Sequence, residues 1–536
     1  MNRTGRWLLF TAPLLLALAL AAPEGEARPG GGNSYRGSSS SRGSSGSSSS
    51  RSWGSSSSSS RSYSSSSRSS SSSSSSSDTD GSFLCLILGL VIVGFLIVGR
   101  VVRTHTPPPP NWDTMRRQED DPSAQYVYVE RRRQGAGPEE LARLRTVGPP
   151  GPDGKPVPFD PDFSRVLFED FLYALYAQVH TARGGGQLDT MSAYLGGHSK
   201  KALLALGQPA RVHGVVVGSM RYLSVSPIAA TTQTLTVVMG FESNYTEVLA
   251  SGVERSYYVE EEWTLTRSTQ AKSRSPENAR VFKCPNCGAP LDAMQGSTCS
   301  YCQKRVNTGE FDWVVQGVLV KQREERGPQL TGDTPEEGTD LPTVVQPQVD
   351  ERLNRLLSQD PELSWEALTE RLGLIFQELQ GAWSQRAWER ARPFVSDSLF
   401  QSQLYWMEAY KRAGLRNVTQ NARITRVELA RLVADPYFVA LTVRVSATGL
   451  DFTVRDSDGV LVGGSQRRER RYTEYWTLIR GTRVRGRPST EKRCPSCGAD
   501  LDITMAGQCT HCSARVTSGD FDWVLSRIEQ DESYRG

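Results

Sequence analysis

Eight of the nine cysteines in this 536-residue chain fall into two groups with one shared spacing. Cys284, Cys287, Cys299 and Cys302 recur further along as Cys494, Cys497, Cys509 and Cys512. Each group reads Cys-x-x-Cys, eleven residues, Cys-x-x-Cys. Thiolate sulfur is a soft ligand, and this spacing suits a tetrahedral zinc ion held by four sulfurs. The surroundings repeat too, with Arg305, Gly309 and Trp313 matched by Arg515, Gly519 and Trp523. Cys-Pro-x-Cys-Gly opens both groups; the proline fixes one turn dihedral and the glycine lets the backbone close around sulfur. The second pairs, Cys-Ser-Tyr-Cys and Cys-Thr-His-Cys, lack that refinement.

Three other readings compete for these cysteines. Disulfides need an oxidising compartment, which the topology argued below disfavours. A redox Cys-x-x-Cys normally stands as a single pair beside a strand–helix unit. Buried reduced thiols would not repeat so regularly. With four sulfurs on each ion no position is left for water or substrate, so two structural zinc ions are expected, not catalytic ones. The ninth cysteine, Cys85, lies in an apolar run and reads as an apolar filler.

Little else in the chain could do chemistry. The five histidines (His105, His180, His198, His213 and His511) form no constellation, and His180 reads as a cation at a helix C-terminus. His511 sits inside a Cys-x-x-Cys and could compete for metal, but four thiolates suffice. There is no nucleophile motif, phosphate loop or open metal site, so an enzyme is not expected; a pocket enzyme stays as one alternative. Nucleic-acid binding through zinc ribbons is the other. The net charge of +4, from 62 basic and 58 acidic residues, is too balanced for it. Near the cysteines Lys283, Lys304, Arg305, Arg493 and Arg515 face Asp292, Asp500 and Asp502, and only Tyr301 could stack on a base.

The elements that must position the cysteines come in order. Residues 1–27 read as a secretory signal peptide: Arg3 and Arg6, an apolar run, then small residues, with cleavage expected after Ala21 or Ala27. Residues 28–81 are almost all Ser, Gly and Arg and cannot bury enough surface to order themselves. Residues 83–102 form a charge-free apolar run broken only by Arg100, long enough for a transmembrane helix. Arg100, Arg103, Arg116 and Arg117 follow it while Asp78 and Asp80 precede it, so the positive-inside rule places the remainder in the cytoplasm. That suits eight reduced thiols. Residues 103–159 read as a Pro-rich linker, 160–321 as a first domain with its ribbon at 281–309, 322–359 as a second linker, and 360–530 as a second domain with its ribbon at 491–519.

Within the first domain, Phe163, Val166, Leu167, Phe171, Ala174, Leu175 and Val179 give a helical stripe over 163–182. A second helix is expected at about 188–206, then strands at 211–224, 231–241, 254–267 and 311–320. The second domain repeats the plan. Helices are expected at about 361–386, 388–396 and 398–413, and strands at 421–434, 437–449, 470–480 and 520–528. Both ribbons then fall between two strands of one sheet.

Helices, long strands, Tyr472-Thr-Glu-Tyr-Trp-Thr-Leu-Ile-Arg480 and a closing Trp-containing strand resemble the Tim44-like domain family, named for the membrane anchor of the mitochondrial import motor and including bacterial membrane proteins. The likeness is best over 364–528, where Ala382-Trp383 and Arg392-Pro393-Phe394-Val395-Ser396-Asp397 are similar to the family's first helix and turn; Glu261, Trp263-Thr264-Leu265-Thr266-Arg267 and Phe311-Asp312-Trp313 carry it in the first half. The resemblance implies an α+β fold of two cones, cystatin-like or nuclear-transport-factor-two-like, each a curved antiparallel sheet with helices across it. It also implies an apolar pocket used for lipid or membrane-surface contact. Trp365, Trp383, Trp406, Tyr405, Tyr410, Tyr173 and Tyr176 would line that pocket, or else serve as ordinary core aromatics. The basic run Gln466–Arg471 could meet anionic headgroups or end a solvated hairpin. The expected protein is a single-pass scaffold of a bacterial inner membrane whose partners are membrane lipids or a membrane protein, with no nucleic acid and no small-molecule substrate.

Overall fold

The computed structural model describes residues 137–536 except 328–329, 331–335, 337, 532–533 and 535. The signal segment, the Ser-rich stretch, the apolar run 83–102 and residues 103–136 lie outside the described residues. Among the described residues, no helix is long and apolar enough to cross a membrane.

Two four-stranded antiparallel sheets with helices packed on them account for most of the described chain. The first half begins with α1 (Pro138–Ala142), followed by α2 (Arg165–Arg183) and α3 (Gly197–Ala205). Strands β1 (Arg211–Val225), β2 (Thr234–Val248) and β3 (Glu254–Ser268) come next. The short pair β4 (Met294–Gln295) and β5 (Thr298–Cys299) lies in the first ribbon, and β6 (Val314–Glu325) closes the sheet in the order β1-β2-β3-β6. The second half runs α4 (Val349–Gln359), α5 (Trp365–Ser384), α6 (Asp397–Arg412), β7 (Leu415–Ala434), β8 (Phe438–Arg455), β9 (Leu461–Gly481) and β10 (Val524–Gln530). Its sheet has the matching order β7-β8-β9-β10.

The local causes are visible in the sequence. Ser164 and Ser364 cap α2 and α5 by accepting from the N–H groups of Leu167 and Ala367. Each follows an Asp-Pro pair, which cannot continue a preceding helix. The buried stripe of α2 (Phe168, Phe171, Leu172, Leu175, Val179) repeats at helical spacing and meets Val237, Met239, Phe241, Trp263 and Leu265 from the sheet. Leu368, Leu372, Ile375, Phe376 and Leu379 of α5 do the same against Leu441, Val443, Trp476 and Leu478. Bulges such as those between His213/Val216 and Gln420/Arg423 bend the outer strands.

Three expectations are corrected. Residues 322–359 are not simply a linker: β6 runs on to Glu325, and α4 sets Val349 into the second core with Leu353, Leu356 and Leu357 packed against it. Those four sit at helical spacing among charges that disguise the stripe. The helix expected at 188–206 is a 3-10 turn at Leu188–Met191 followed by α3, which starts at Gly197. The helix expected at 388–396 is a 3-10 segment, Trp388–Phe394, because Pro393 removes a backbone donor. Within 103–159, Leu141 and Leu144 are fully buried in the first core.

The halves pack on each other. Leu167 of α2 sits with Phe438, Ile479 and Val524 of the second sheet, while Val216 of β1 joins the second core. Polar contacts cross the same seam: Ser164 Oγ donates to Asp435 at 2.7 Å, and Ser398 Oγ to Asp170 at 3.0 Å.

Candidate metal centres

Each ribbon occupies the connection between the last two strands of its sheet. β3 pairs with β6 and β9 with β10, so the cysteines hang from the end of an antiparallel pair. All eight predicted ligands come together as two groups of four, with the sulfurs of each group within 4.8 Å of one another. Cys284–Cys302 and Cys287–Cys299 are 3.9 and 3.8 Å apart; Cys494–Cys512 and Cys497–Cys509 are 3.8 and 4.0 Å apart. A disulfide would need about 2.05 Å. Four sulfurs about 2.3 Å from a central zinc lie about 3.8 Å from each other, so these edges fit a metal tetrahedron.

The backbone makes that geometry by four similar turns. Gly288 (φ 76°) and Gly498 (φ 73°) donate to the carbonyls of Cys284 and Cys494 at 2.9 and 2.8 Å. In the second pairs the same left-handed place is taken by Gln303 (φ 56°) and Ser513 (φ 60°), whose N–H groups reach Cys299 and Cys509, each at 2.9 Å. The second pairs lack the glycine, yet the same turn forms without it. His511 is exposed and outside the group of four.

The electrostatics fit a cation. Burial pushes the Cys284 thiol up to about 12. A hydrogen bond from the Asn286 side chain draws Cys302 down to about 6, and the Ala514 N–H does the same for Cys512. Hydrogen bonding thus favours the thiolate form of Cys302 and Cys512, the form that binds metal. The donor set and geometry are compatible with two zinc ions.

Both ribbons are anchored by one arrangement that sequence reading missed. Arg267 donates to Asp160 at 2.8 Å and lies 5.0 Å from the ring centre of Trp313. Arg480 donates to Asp360 at 2.7 Å and lies 4.9 Å from that of Trp523. Both pairs are buried. Asp312 and Asp522 each accept from the next residue's N–H, Trp313 or Trp523, at 2.7 Å. Gly309 and Gly519 (φ 85° and 84°) accept from Ser268 and Gly481, tying ribbon to strand. The signal was there: Asp-Pro-x-x-Ser occurs at 160–164 and 360–364, and an arginine ends both Trp-Thr-Leu strands.

Other singled-out residues land elsewhere. His180 stands in the last turn of α2, as expected, but is fully buried, with Nε2 3.2 Å from Glu261. Trp383, Trp406, Tyr176 and Tyr410 are core, whereas Tyr173 borders a cavity between the halves. The basic run 466–471 lies on β9, where Glu469 takes Arg423 and Arg470 takes Glu336, leaving Arg467, Arg468 and Arg471 exposed.

Residues 349–489, from α4 to a few residues beyond β9, match the Tim44-like domain family. No curated protein matches the chain.

Proposed function

We propose that the chain is a membrane-anchored, non-enzymatic binding scaffold built from two Tim44-like cones, each clipped by one structural zinc ion. The second cone holds the matched residues 349–489; the first, over 160–321, has the same strand order, the same parallel bridge beside its closing strand (Leu195–Val315, Val395–Leu525) and the same buried Asp–Arg–Trp anchor. The observation that carries the reading is the pair of closed four-cysteine groups at matching places on matching sheets. Cys284, Cys287, Cys299 and Cys302 hold one ion, and Cys494, Cys497, Cys509 and Cys512 the other. When bound, zinc supplies a cross-link and no reactive position, because sulfur fills all four places. Residues 1–27 act as a signal segment and 83–102 as the span, with the cones in the cytoplasm of a bacterium beneath its inner membrane. Their partners are membrane lipids or a membrane protein.

One experiment tests this. The full chain is purified from membranes in detergent, and its zinc content and co-purifying lipids and proteins are measured. Two zinc ions per chain, with an enriched lipid class or one membrane protein, support the reading. A chain recovered in the soluble fraction, or with its cysteines joined as disulfides, overturns it.

A further inference from the structure

Ion pairs join the two halves at two places. On the seam Glu169 of α2 accepts from Arg165 at 2.7 Å and from Arg527 of β10. Nearer the ribbons Asp397, the first residue of α6, is shared by three guanidiniums. Its Oδ1 accepts from Arg392. Its Oδ2 accepts from Arg515, three residues beyond Cys512, and also lies 3.3 Å from Arg280 Nη1, four residues before Cys284. That nitrogen of Arg280 makes no hydrogen bond, so of the two cations on this oxygen Arg515 holds it.

The second ribbon is seated through this carboxylate. Cys494, Cys509 and Val516 form a small cluster of their own, with Leu501 as a link to the second core. Polar contacts do the rest. Arg392 Nε donates to the Met505 carbonyl at 3.0 Å, and Arg515 is bridged to Gln508, next to Cys509. A Cβ at Gly507 would stand 2.7 Å from Arg392 Nη2, so the turn of the ribbon lies hard against that guanidinium. The first ribbon has no such clamp. Cys284 and Cys299 belong to the first core, and the matching bridges Leu195–Val315 and Val395–Leu525 set Gly197 at the place of Asp397 and Ser192 at that of Arg392. Arg305, the counterpart of Arg515, donates to Asn307 of its own ribbon at 3.2 Å.

We propose that Asp397 positions the second metal centre, and that Arg280 of the first half competes with Arg515 for one oxygen and so loosens that centre. The inference rests on the zinc reading above. Two like charges on one oxygen repel, and each weakens the other's hold. Arg392 is 2% exposed, so removing its carboxylate leaves a buried charge unmatched; Arg515 is 49% exposed and its pair alone is weaker. Arg280 is brought up by docking of the halves, since Ala279 beside it is buried against Phe438, Ile479 and Val524 of the second sheet. Through Arg280, docking and metal retention at the second centre are linked with opposite signs.

The test follows transfer of zinc from the full chain in detergent to a chromogenic chelator. Cys494→Ser gives the release curve of the first centre alone, and subtracting it from that of the two-zinc chain gives the second. Asp397→Asn should release the second zinc at about tenfold lower chelator concentration and Arg515→Gln at about threefold lower. Arg280→Gln should instead hold it to about twofold higher concentration, and should change nothing when Asp397→Asn is already present. A merely structural loss would loosen the centre in all three variants, so the opposite sign of Arg280→Gln separates competition from damage. Looser or unchanged metal in Arg280→Gln, or unchanged metal in Asp397→Asn, would overturn the proposal while two bound zinc ions keep the zinc reading; a chain that binds no zinc would overturn both.

Discussion

Superposing the two halves by their capping serines, Ser164 and Ser364, sets the ends of α2 and α5 against each other. At the ribbon end the residues agree: Asp160 with Asp360, Arg267 with Arg480, Trp313 with Trp523. At the far end they diverge, with Tyr176, His180 and Arg183 standing where the second half has Phe376, Gln380 and Trp383. There the first half holds a charged network, in which Glu247 takes Arg183 at 2.6 Å and Arg323 at 2.8 Å, and Glu261 takes His180 and the Trp263 indole. The second half holds amides and rings instead: the Trp383 indole donates to Asn417 at 2.6 Å, and Asn417 to Asp451 at 2.8 Å. The difference teaches which constraint is rigid. Closing four sulfurs into a tetrahedron dictates the strand ends that carry them, while the opposite end needs only its buried polar groups paired, and many side-chain sets can do that.

Under the proposed zinc reading, metal is the strongest lever on this comparison. A structural four-cysteine site contributes about 10–16 kcal/mol to the fold that holds it. Cys284, Cys299 and Val306 are part of the first core, whereas Cys494, Cys509 and Val516 form a small cluster of their own. Cys284→Ser should therefore cost one zinc and abolish cooperative unfolding of the first half. Cys494→Ser should cost one zinc yet leave the second sheet folded, with disturbance confined to the strand at Trp523. Metal analysis with calorimetry reads both; equal damage in the two variants would show that the ribbons are integrated alike.

The anchors come next, and here the halves should behave alike. Removing one partner of a buried ion pair costs about 3–5 kcal/mol, because the other charge is left unmatched. Arg267→Met and Arg480→Met should each fall in that range by chemical denaturation. A difference above about 2 kcal/mol would mean that the matched geometry hides unequal surroundings.

The seam between the halves gives a smaller, pH-dependent effect. Glu169 has a pKa of about 2 in the folded chain against an ordinary 4.5. Its contribution is therefore complete above about pH 4.5 and is lost as pH falls from 4.5 toward 2, amounting to about 3 kcal/mol at most. Glu169→Gln should flatten that part of the stability–pH curve without touching either ribbon. A curve of unchanged slope would mean that Arg165 and Arg527 find other partners.

Which parts were legible in the sequence follows from range. The cysteine groups could be read because all four ligands lie within 19 residues, and the strand–ribbon–strand order because strand patterns are local. The Asp160–Arg267 pair spans more than a hundred residues and has no periodicity to betray it, so only its repetition as Asp360–Arg480 could have revealed it. The burial of His180 was out of reach for a related reason. A helix end looks solvated in sequence, yet β2 and β3 fold over this one and bury it against Tyr245 and Glu261. The helix at 349–359 escaped notice because four charged residues stand among its four apolar contacts.

The smallest effect separates the two turns within each ribbon. Gly288 and Gly498 occupy left-handed backbone at no steric cost, while Gln303 and Ser513 hold the same conformation with a side chain attached. A residue with a Cβ pays about 1–2 kcal/mol there, and glycine returns about 0.5–1 kcal/mol of that through its freer unfolded chain. Gln303→Gly and Ser513→Gly should therefore each stabilise their ribbon by about 0.5–1 kcal/mol, and Gly288→Ala and Gly498→Ala should destabilise by a similar amount, about 0.5–1 kcal/mol. Competition of each variant with a chelator measures this directly, since a stabler ribbon holds its metal at higher chelator concentration. Were Ser513→Gly to release metal sooner, the hydroxyl or the side-chain bulk at 513 would be supporting the second turn, and the equivalence of the four turns would fail at that point.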